Sequence, residues 1–520
     1  MSSLFSPVRV PQWSGPPMLA DLFVAVDCST TGVKCIVWDE NGKAISSARV
    51  SLDLSVPRPG TGEQDPNQWW SATCEAVRSA TRDLDPLRLA SICIAHQRET
   101  FVCLDVDGKP VRPAMLWLDS RAGAEVEEYG SFAVHETTGK PPNTTPAFYK
   151  LLWLQRHEPE AMQKTRHIVD VHGYLTHRMT GNWATSLASA DPLGLVDLAR
   201  GCYDPELLEM VGISLDQLSE LVNPGESLGP ITPTAARALG LRYGLVMIAG
   251  AGDGQAAALG ADISRPGVAY INLGTGLVSG CYEEKYRPDR AYRALTGPIP
   301  GTFSYEVFVS AGTYLVNWFT DTFIDQGVRE GMREGELELL LGAEAALVAP
   351  GSEGLLVLPY WNGALTPYWD HTARGIIFGF MGIHTRAHVY RAVLEGLTFE
   401  LRLCLSRAED VTAHHLDTFI AMGGGSRSEL WCQLLADILK RPVIISAEQE
   451  TTCLGAGMLA AAGVEHFASI REAAQKMSSF GRTFHPDPSL ADVYDERFEL
   501  YRQLYPLTQS LLPAAAAVLA

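Results

Sequence analysis

The sequence predicts an α/β protein built in two lobes, and three observations carry that reading. Its 520 residues exceed what one hydrophobic core organises, so two or three domains are expected. Apolar runs of strand length and segments of helical character are mixed along the whole chain. A hairpin signature near the start recurs about halfway along, at the head of the second half.

Leu22 to Asp27 is an apolar run that stops at a carboxylate and enters Cys28-Ser29-Thr30-Thr31-Gly32; Val33 to Trp38 returns as a strand before the turn Asp39-Glu40-Asn41-Gly42. The hairpin tip is all small and hydroxylated. An amphipathic helix starts at Pro66, and its Trp69 and Trp70 read as core or interface residues. Leu89 to Ala95 is a strand, Phe101 to Met115 a hairpin turning at Asp107-Gly108, and Lys150 to His157 a helix. Leu245 to Ala249 is a buried strand joined by a glycine-dense turn to the Ala-rich helix Gln255 to Ala261. The Pro-Gly pair in Ile263-Ser264-Arg265-Pro266-Gly267 marks the boundary and hinge between halves. Val268 to Leu273 then runs through Gly274-Thr275-Gly276 into Leu277 to Tyr282, the second hairpin. Helices are expected over Thr385 to Leu405 and Ser428 to Lys440, strands over Leu416 to Met422 and Pro442 to Ser446, and a fraying Ala-rich tail over Leu511 to Ala520.

Lys and Arg number 41 against 60 Asp and Glu, a formal charge of −19. That mean field repels a nucleic-acid backbone and an anionic membrane, so neither is expected as the main partner. With 46% hydrophobic and 19% charged residues the chain is neither a disordered tether nor a small disulfide scaffold. Ten cysteines show no CxxC and no His/Cys cluster at zinc spacing, which fits a reduced compartment. Met1 to Ala20 carries Pro7, Pro11, Pro16 and Pro17 and no continuous apolar stretch, and no segment reaches membrane-spanning length. A soluble, cytoplasmic protein acting on a small ligand is expected, with a homodimer as the base-rate assembly.

Several turns have chemistry suited to such a ligand. A polyphosphate held without a Walker loop needs backbone N–H groups that face its oxygens, and Gly, Ser and Thr let the chain come close. Both hairpin tips qualify, although an Asp/Ser/Thr turn of purely structural kind has the same composition. Asp27 can hold Mg²⁺ through water, and Lys34 can add a cation beside phosphates. Asp253 stands at a helix start, where the dipole favours a negative side chain able to accept a hydroxyl proton; a structural N-cap is the alternative. Gly423-Gly424-Gly425-Ser426, between a strand and a helix, admits a flat ligand close to the main chain, or is simply a tight connection. Arg98 and Glu99 offer a donor and an acceptor to a polyol, and Trp117, Asp119 and Arg121 pair an apolar ring with charged edges, as a sugar requires; an exposed ion pair with a core tryptophan is the alternative. His96 lies on the strand and reads as a core residue.

Taken together, these residues are similar to those of the FGGY carbohydrate kinases, a branch of the sugar kinase/actin/Hsp70 superfamily. The resemblance covers about Leu22 to Gly463. It rests on Asp27 to Thr31, Gln97-Arg98-Glu99, Trp117-Leu118-Asp119-Ser120-Arg121, Lys150 to Leu154, Gly252-Asp253, Gly274-Thr275-Gly276, Arg391 to Gly396, Gly423 to Ser426 and Glu450 to Gly457. It implies two RNase H-like domains, a sugar-binding one over 21–263 and a nucleotide-binding one over 267–506, with sugar and MgATP in the cleft between. By this resemblance Asp253 is the catalytic base and also touches the acceptor, with Arg98, Glu99, Trp117 and Asp119. Asp27 holds Mg²⁺. Ser29, Thr30, Thr31 and Lys34 approach the phosphates of ATP from the first domain, and Gly274, Thr275 and Gly276 from the second. Gly312 and Asn317 match nucleotide positions, and Gly424 and Ser428 fall at the nucleoside.

Within the family, Trp-x-Asp-x-Arg and Lys-Leu-Leu-Trp-Leu resemble xylulokinases, with Arg98-Glu99 in place of their Met-His. Gln97-Arg98-Glu99-Thr100 resembles glycerol kinases, which carry Gln where this chain has Gly254. Ser29 stands where most members have Gly. The implied activity is ATP-dependent phosphorylation of a primary hydroxyl of a ketopentose, D-xylulose at O5. The alternatives are a kinase for glycerol, a tetritol or another ketose, and a catalytically silent sugar-binding or actin-like protein.

Overall fold

A computed structural model describes residues 20–333 and 335–511, the side chain of residue 330 excepted. The readings of the two termini fall almost entirely on 1–19 and 512–520, outside the described residues. Two mixed sheets organise the chain. The first is formed by β1 (Leu22–Cys28), β2 (Gly32–Trp38), β3 (Ala44–Ser51), β4 (Leu89–His96), β5 (Ser227–Pro230) and β6 (Val246–Gly252), in the order β5-β6-β4-β1-β2-β3. The second is formed by β7 (Val268–Leu273), β8 (Leu277–Glu283), β9 (Arg293–Thr296), β10 (Phe303–Val309), β11 (Thr418–Met422), β12 (Val443–Ser446) and β13 (Phe480–Phe484), in the order β9-β10-β8-β7-β11-β12-β13.

The two sheets repeat one plan. In the first, β3, β2 and β1 are antiparallel and β4 and β6 continue parallel to β1. In the second, β10, β8 and β7 are antiparallel and β11 and β12 continue parallel to β7. Each expected hairpin thus opens a sheet at the equivalent place. The chain passes from one sheet to the other through the segment around Ile263 to Gly267.

Strand alternation decides what surrounds the first hairpin. Leu22, Val24 and Val26 of β1 pack towards Trp69 and Val77 of α1 (Pro66–Thr81), while Phe23 and Ala25 face Leu454 and Met458 of α7 (Thr451–Gly463). Asp27, next in the second series, therefore lies on the α7 side. Helix α7 comes from the later half yet covers the first sheet, with Trp38 Nε1 donating to the Cys453 carbonyl at 3.1 Å. It crosses α3 (Asp253–Gly260) closely enough that a Cβ on Gly455 would lie 1.9 Å from the Ala256 carbonyl oxygen. Only glycine fits that crossing.

Between α3 and α7 in sequence lie α4 (Thr313–Phe323), α5 (Arg386–Thr412) and α6 (Glu429–Leu439), and α2 (Ala147–His157) belongs to the first half. Helix α5 runs past the expected Leu405 to Thr412 because Leu405, Ala408 and Thr412 continue its buried stripe at helical spacing. The Gly423 to Ser426 turn does not open α6 directly. A 3₁₀ turn over Gly424–Arg427 intervenes, and Ser428 caps α6 by accepting from Trp431 N at 3.3 Å. Trp69 is fully buried, as expected for a core residue. His96 is also buried, its Nδ1 2.7 Å from the Gln97 carbonyl. No helix of the described residues is long and apolar enough to cross a membrane, and all ten cysteines are free thiols.

Candidate active site

Sheet register sets the first-lobe residues. Asp27 lies opposite Lys34 on β2 and beside Ala95 on β4. Its Oδ1 is buried with no hydrogen-bond partner. Burial pushes this carboxyl up to about 7, the neighbouring Asp253 carboxylate adds to the rise, Lys34 opposes it, and Glu450 adds again. Lys34 is ion-paired with Glu450, which precedes α7. Ser29 closes the tip, its Oγ donating to the Gly32 carbonyl at 2.8 Å, and Thr31 is exposed. Thr30 Oγ1 donates to Gln97 Oε1 at 3.1 Å and accepts from Trp117 Nε1 at 2.9 Å, so the indole is fixed against the hairpin while its ring stays partly exposed. Asp119 sits behind this surface, fully buried, with Oδ1 taken by Arg121 Nε at 2.9 Å and Oδ2 by Gly62 N at 2.7 Å.

Asp253 is the first residue of α3, with Gly252 at the cap position, so the N-cap alternative does not hold. Its Oδ1 accepts from Gly254 N at 2.7 Å and pairs with Arg98 Nε at 3.0 Å. Among the described residues Oδ2 has no hydrogen-bond partner, and the side chain is 42% exposed. Arg98 also reaches the second lobe: its Nη1 donates to both oxygens of Glu306 at 3.0 Å. Arg293 then bridges Glu306 (2.8 Å) to Glu99 (2.8 Å), and Tyr270 donates to Glu306 Oε1 at 2.8 Å. Burial works to raise the Glu306 carboxyl, but Arg98 and Arg293 overcome it and hold the group at about 2. Glu99 adopts φ 57°, a left-handed conformation unusual for a residue with a Cβ and one that clusters at functional sites.

In the second lobe, Gly274, Thr275 and Gly276 form the tip between β7 and β8, with Thr275 exposed. The start of α4 docks onto this tip: Thr313 N donates to the Gly274 carbonyl at 2.8 Å and Tyr314 N to that of Thr275 at 3.2 Å. Gly312 allows this contact, since a Cβ there would lie 2.6 Å from the Gly274 oxygen. Asn317 is exposed one turn further on, on the face of Thr313. Gly423 packs on Asn272 and Leu273 at the end of β7, which places exposed Gly424 and the capping Ser428 near the same strand end. The structure thus groups Gly274, Thr275, Gly276, Gly312, Asn317, Gly424 and Ser428 around the ends of β7 and β11. It groups Asp27, Lys34, Arg98, Glu99 and Asp253 with partners from both halves.

Glu306 and Arg293 are absent from the sequence reading, and Glu450 enters it only as the start of a matching segment, not as the partner of Lys34. Glu306 is the one charged residue of the strand Phe303–Val309, and a single buried carboxylate in a mostly apolar strand was the available signal.

Comparison with known proteins identifies the family and the fold. The FGGY family of carbohydrate kinases matches twice, its N-terminal domain over residues 22–260 and its C-terminal domain over 269–464. A xylulose kinase of Bacillus subtilis is 30% identical, over 94% of this chain and 97% of that protein. A gluconokinase of Bacillus subtilis is 25% identical, over 94% and 95%. Among solved structures, a xylulose kinase from Rhodospirillum rubrum superposes with a TM-score of 0.88 at 28% identity, covering 94% of this chain and 99% of that one.

Proposed function

The chain belongs to the FGGY family of carbohydrate kinases and is a phosphotransferase, and from that premise we propose that it transfers the γ-phosphoryl group of ATP to a primary hydroxyl of an uncharged ketopentose such as D-xylulose. The observation that carries this reading is Asp253: one oxygen is fixed by Gly254 N and Arg98, and the other is open to an acceptor hydroxyl. As the acceptor oxygen attacks phosphorus and the bond to ADP breaks, Asp253 takes the hydroxyl proton. In a loose transition state its first task is to orient the nucleophile. Arg98, Glu99 and Trp117 line the acceptor side, and Asp119 acts by fixing Arg121 and the Gly62 turn behind it. Ser29, Thr30, Thr31, Lys34, Gly274, Thr275, Gly276, Gly312 and Asn317 serve the phosphates, and Gly424 and Ser428 the nucleoside.

A Mg²⁺ ion fits beside Asp27. That residue has an orphaned buried oxygen, and Asp253 and Glu450 add negative charge around it. No group of three or more His, Cys, Asp or Glu among the described residues holds a metal by itself, so the fit is to a cation carried in with the phosphates. Such an ion would neutralise charge on the transferring phosphoryl group.

Charge matching around the pocket favours an uncharged acceptor over an aldonate. Arg98 is matched by Asp253 and Glu306, Arg293 by Glu99 and Glu306, Lys140 by Asp191, and Arg121 by Asp119 and Glu63. Lys150 donates to the Thr144 and Thr145 carbonyls, and burial brings its ammonium down to about 7 against the opposing pull of Glu99 and Asp119. Four of these five cations already pair with carboxylates and Lys150 is committed to two carbonyls, so an acceptor carboxylate would have to displace an existing partner. The Arg98-Glu99 pair favours a second reading, a small polyol such as glycerol, on the same chemistry.

A coupled ADP-release assay over ketopentoses, ketohexoses, polyols and gluconate tests the proposal. The highest kcat/KM is expected for a ketopentose, and a preference for gluconate would sink the charge argument. Thr275→Val is expected to raise the KM for ATP while leaving that for the acceptor unchanged. A change confined to the acceptor would displace Thr275 from the phosphate role.

A further inference from the structure

Glu306 and Arg293 belong to the second lobe, yet their charged groups end among the acceptor residues of the first. Glu306 is 1% exposed and carries three donors: Arg98, Arg293 and Tyr270. Arg293 uses one nitrogen on Glu306 and another on Glu99, the residue held at positive φ. The series Asp253–Arg98–Glu306–Arg293–Glu99 is therefore continuous and crosses between the lobes twice. Burying four ionised groups is a weak route to stability, because apolar replacements of similar volume often do as well; what such a network supplies is fixed geometry.

Resting on the kinase reading above, we propose that Glu306 and Arg293 are positioning residues for the acceptor site: the second lobe sets the orientation of Arg98 and Glu99, so sugar recognition is complete only when the lobes are joined as here. Formal charges support the assignment. Arg98 and Arg293 carry two positive charges against three negative ones on Asp253, Glu99 and Glu306, so one carboxylate charge is left over for the hydroxyl proton. Glu306 holds Nη1 of Arg98 while Nε rests on Asp253 Oδ1. Without Glu306 the guanidinium has Asp253 as its one carboxylate partner among these contacts and would turn onto the open oxygen.

The test is steady-state kinetics of Glu306→Gln with the best acceptor, alone and combined with Arg98→Ala. Glu306→Gln is expected to raise acceptor KM at least about tenfold and lower kcat, with ATP KM within about twofold of the parent. In the Arg98→Ala background the same change should alter acceptor KM by less than about twofold, because the residue acts through Arg98. Equal effects in both backgrounds, or an unchanged acceptor KM in a folded Glu306→Gln protein, would overturn the proposal. Arg293→Lys keeps the charge but loses the two-sided fork. It should also raise acceptor KM selectively, and it decides the matter if Glu306→Gln does not fold. A parent protein that releases ADP with no acceptor overturns the kinase reading and this proposal with it. An active parent with unaffected variants overturns this proposal alone.

Discussion

Asp253→Asn is expected to lower kcat at least about a hundredfold, the lower range for an acid–base residue, while nucleotide affinity stays unchanged. Asparagine is isosteric and its Oδ1 can still accept from Gly254 N and Arg98 Nε, the two contacts that hold the native side chain. Arg98 also keeps its two bonds to Glu306, so the cation is not stranded. What disappears is the open carboxylate oxygen that we propose takes the proton. Titrating ATP by calorimetry and measuring turnover on the same preparation separates the two effects. Near-native turnover would remove Asp253 from the mechanism, and lost nucleotide binding would show that the charge matters mainly for the phosphates.

Most of the candidate residues named from the sequence lie at or beside turns of unusual composition, with Lys34 on β2 and Asn317 within α4 as exceptions. Asp27 to Thr31, Gly274 to Gly276 and the glycine run before Asp253 all interrupt apolar strands with small or acidic residues, and the sheets place all three at strand ends. The duplication was legible for the same reason, since two hairpins of one composition begin two sheets of one topology. Long-range pairing was not legible. Lys34 with Glu450, Arg98 with Glu306 and Arg293 with Glu99 join residues hundreds of positions apart, and no local pattern marks a partner at that separation. Packing of α7 on the first sheet was hidden likewise, because an Ala- and Gly-rich helix looks the same whichever sheet it covers.

Asp119 shows the complementary limit. Its spacing to Trp117 and Arg121 pointed to a sugar contact, and the spacing does have a physical basis, because Arg121 folds back two residues to bind Asp119. The pair then consumes its own hydrogen-bonding capacity and orders the turn beneath the indole. A motif can therefore be visible in the spacing while the direction its residues face depends on which donors the rest of the chain brings, here Gly62 N.

Arg391→Met is expected to weaken the second lobe by about 3–5 kcal/mol, the effect of stranding a buried carboxylate. Arg391 and Glu395 lie one turn apart on α5, 5% and 2% exposed, with Nε 2.8 Å from Oε1. Arg391 also donates to the Ala345 carbonyl at 3.2 Å and to the Tyr494 hydroxyl at 3.0 Å. Glu395 in turn accepts from Gly351 N at 3.0 Å and Ser352 Oγ at 2.8 Å. This pair thus ties α5 to three other segments, including the C-terminal helix. Methionine fills the stem but supplies no charge, leaving Glu395 with neutral donors only. Hydrogen exchange is the suitable measurement, because two lobes need not unfold together. Amides of Arg386–Thr412 should lose protection by that amount while those of Leu89–His96 keep theirs. Adding Glu395→Gln should restore most of the loss, since removing both charges avoids the stranded one. If the single variant protects α5 as well as the parent does, the pair is not what holds these segments together.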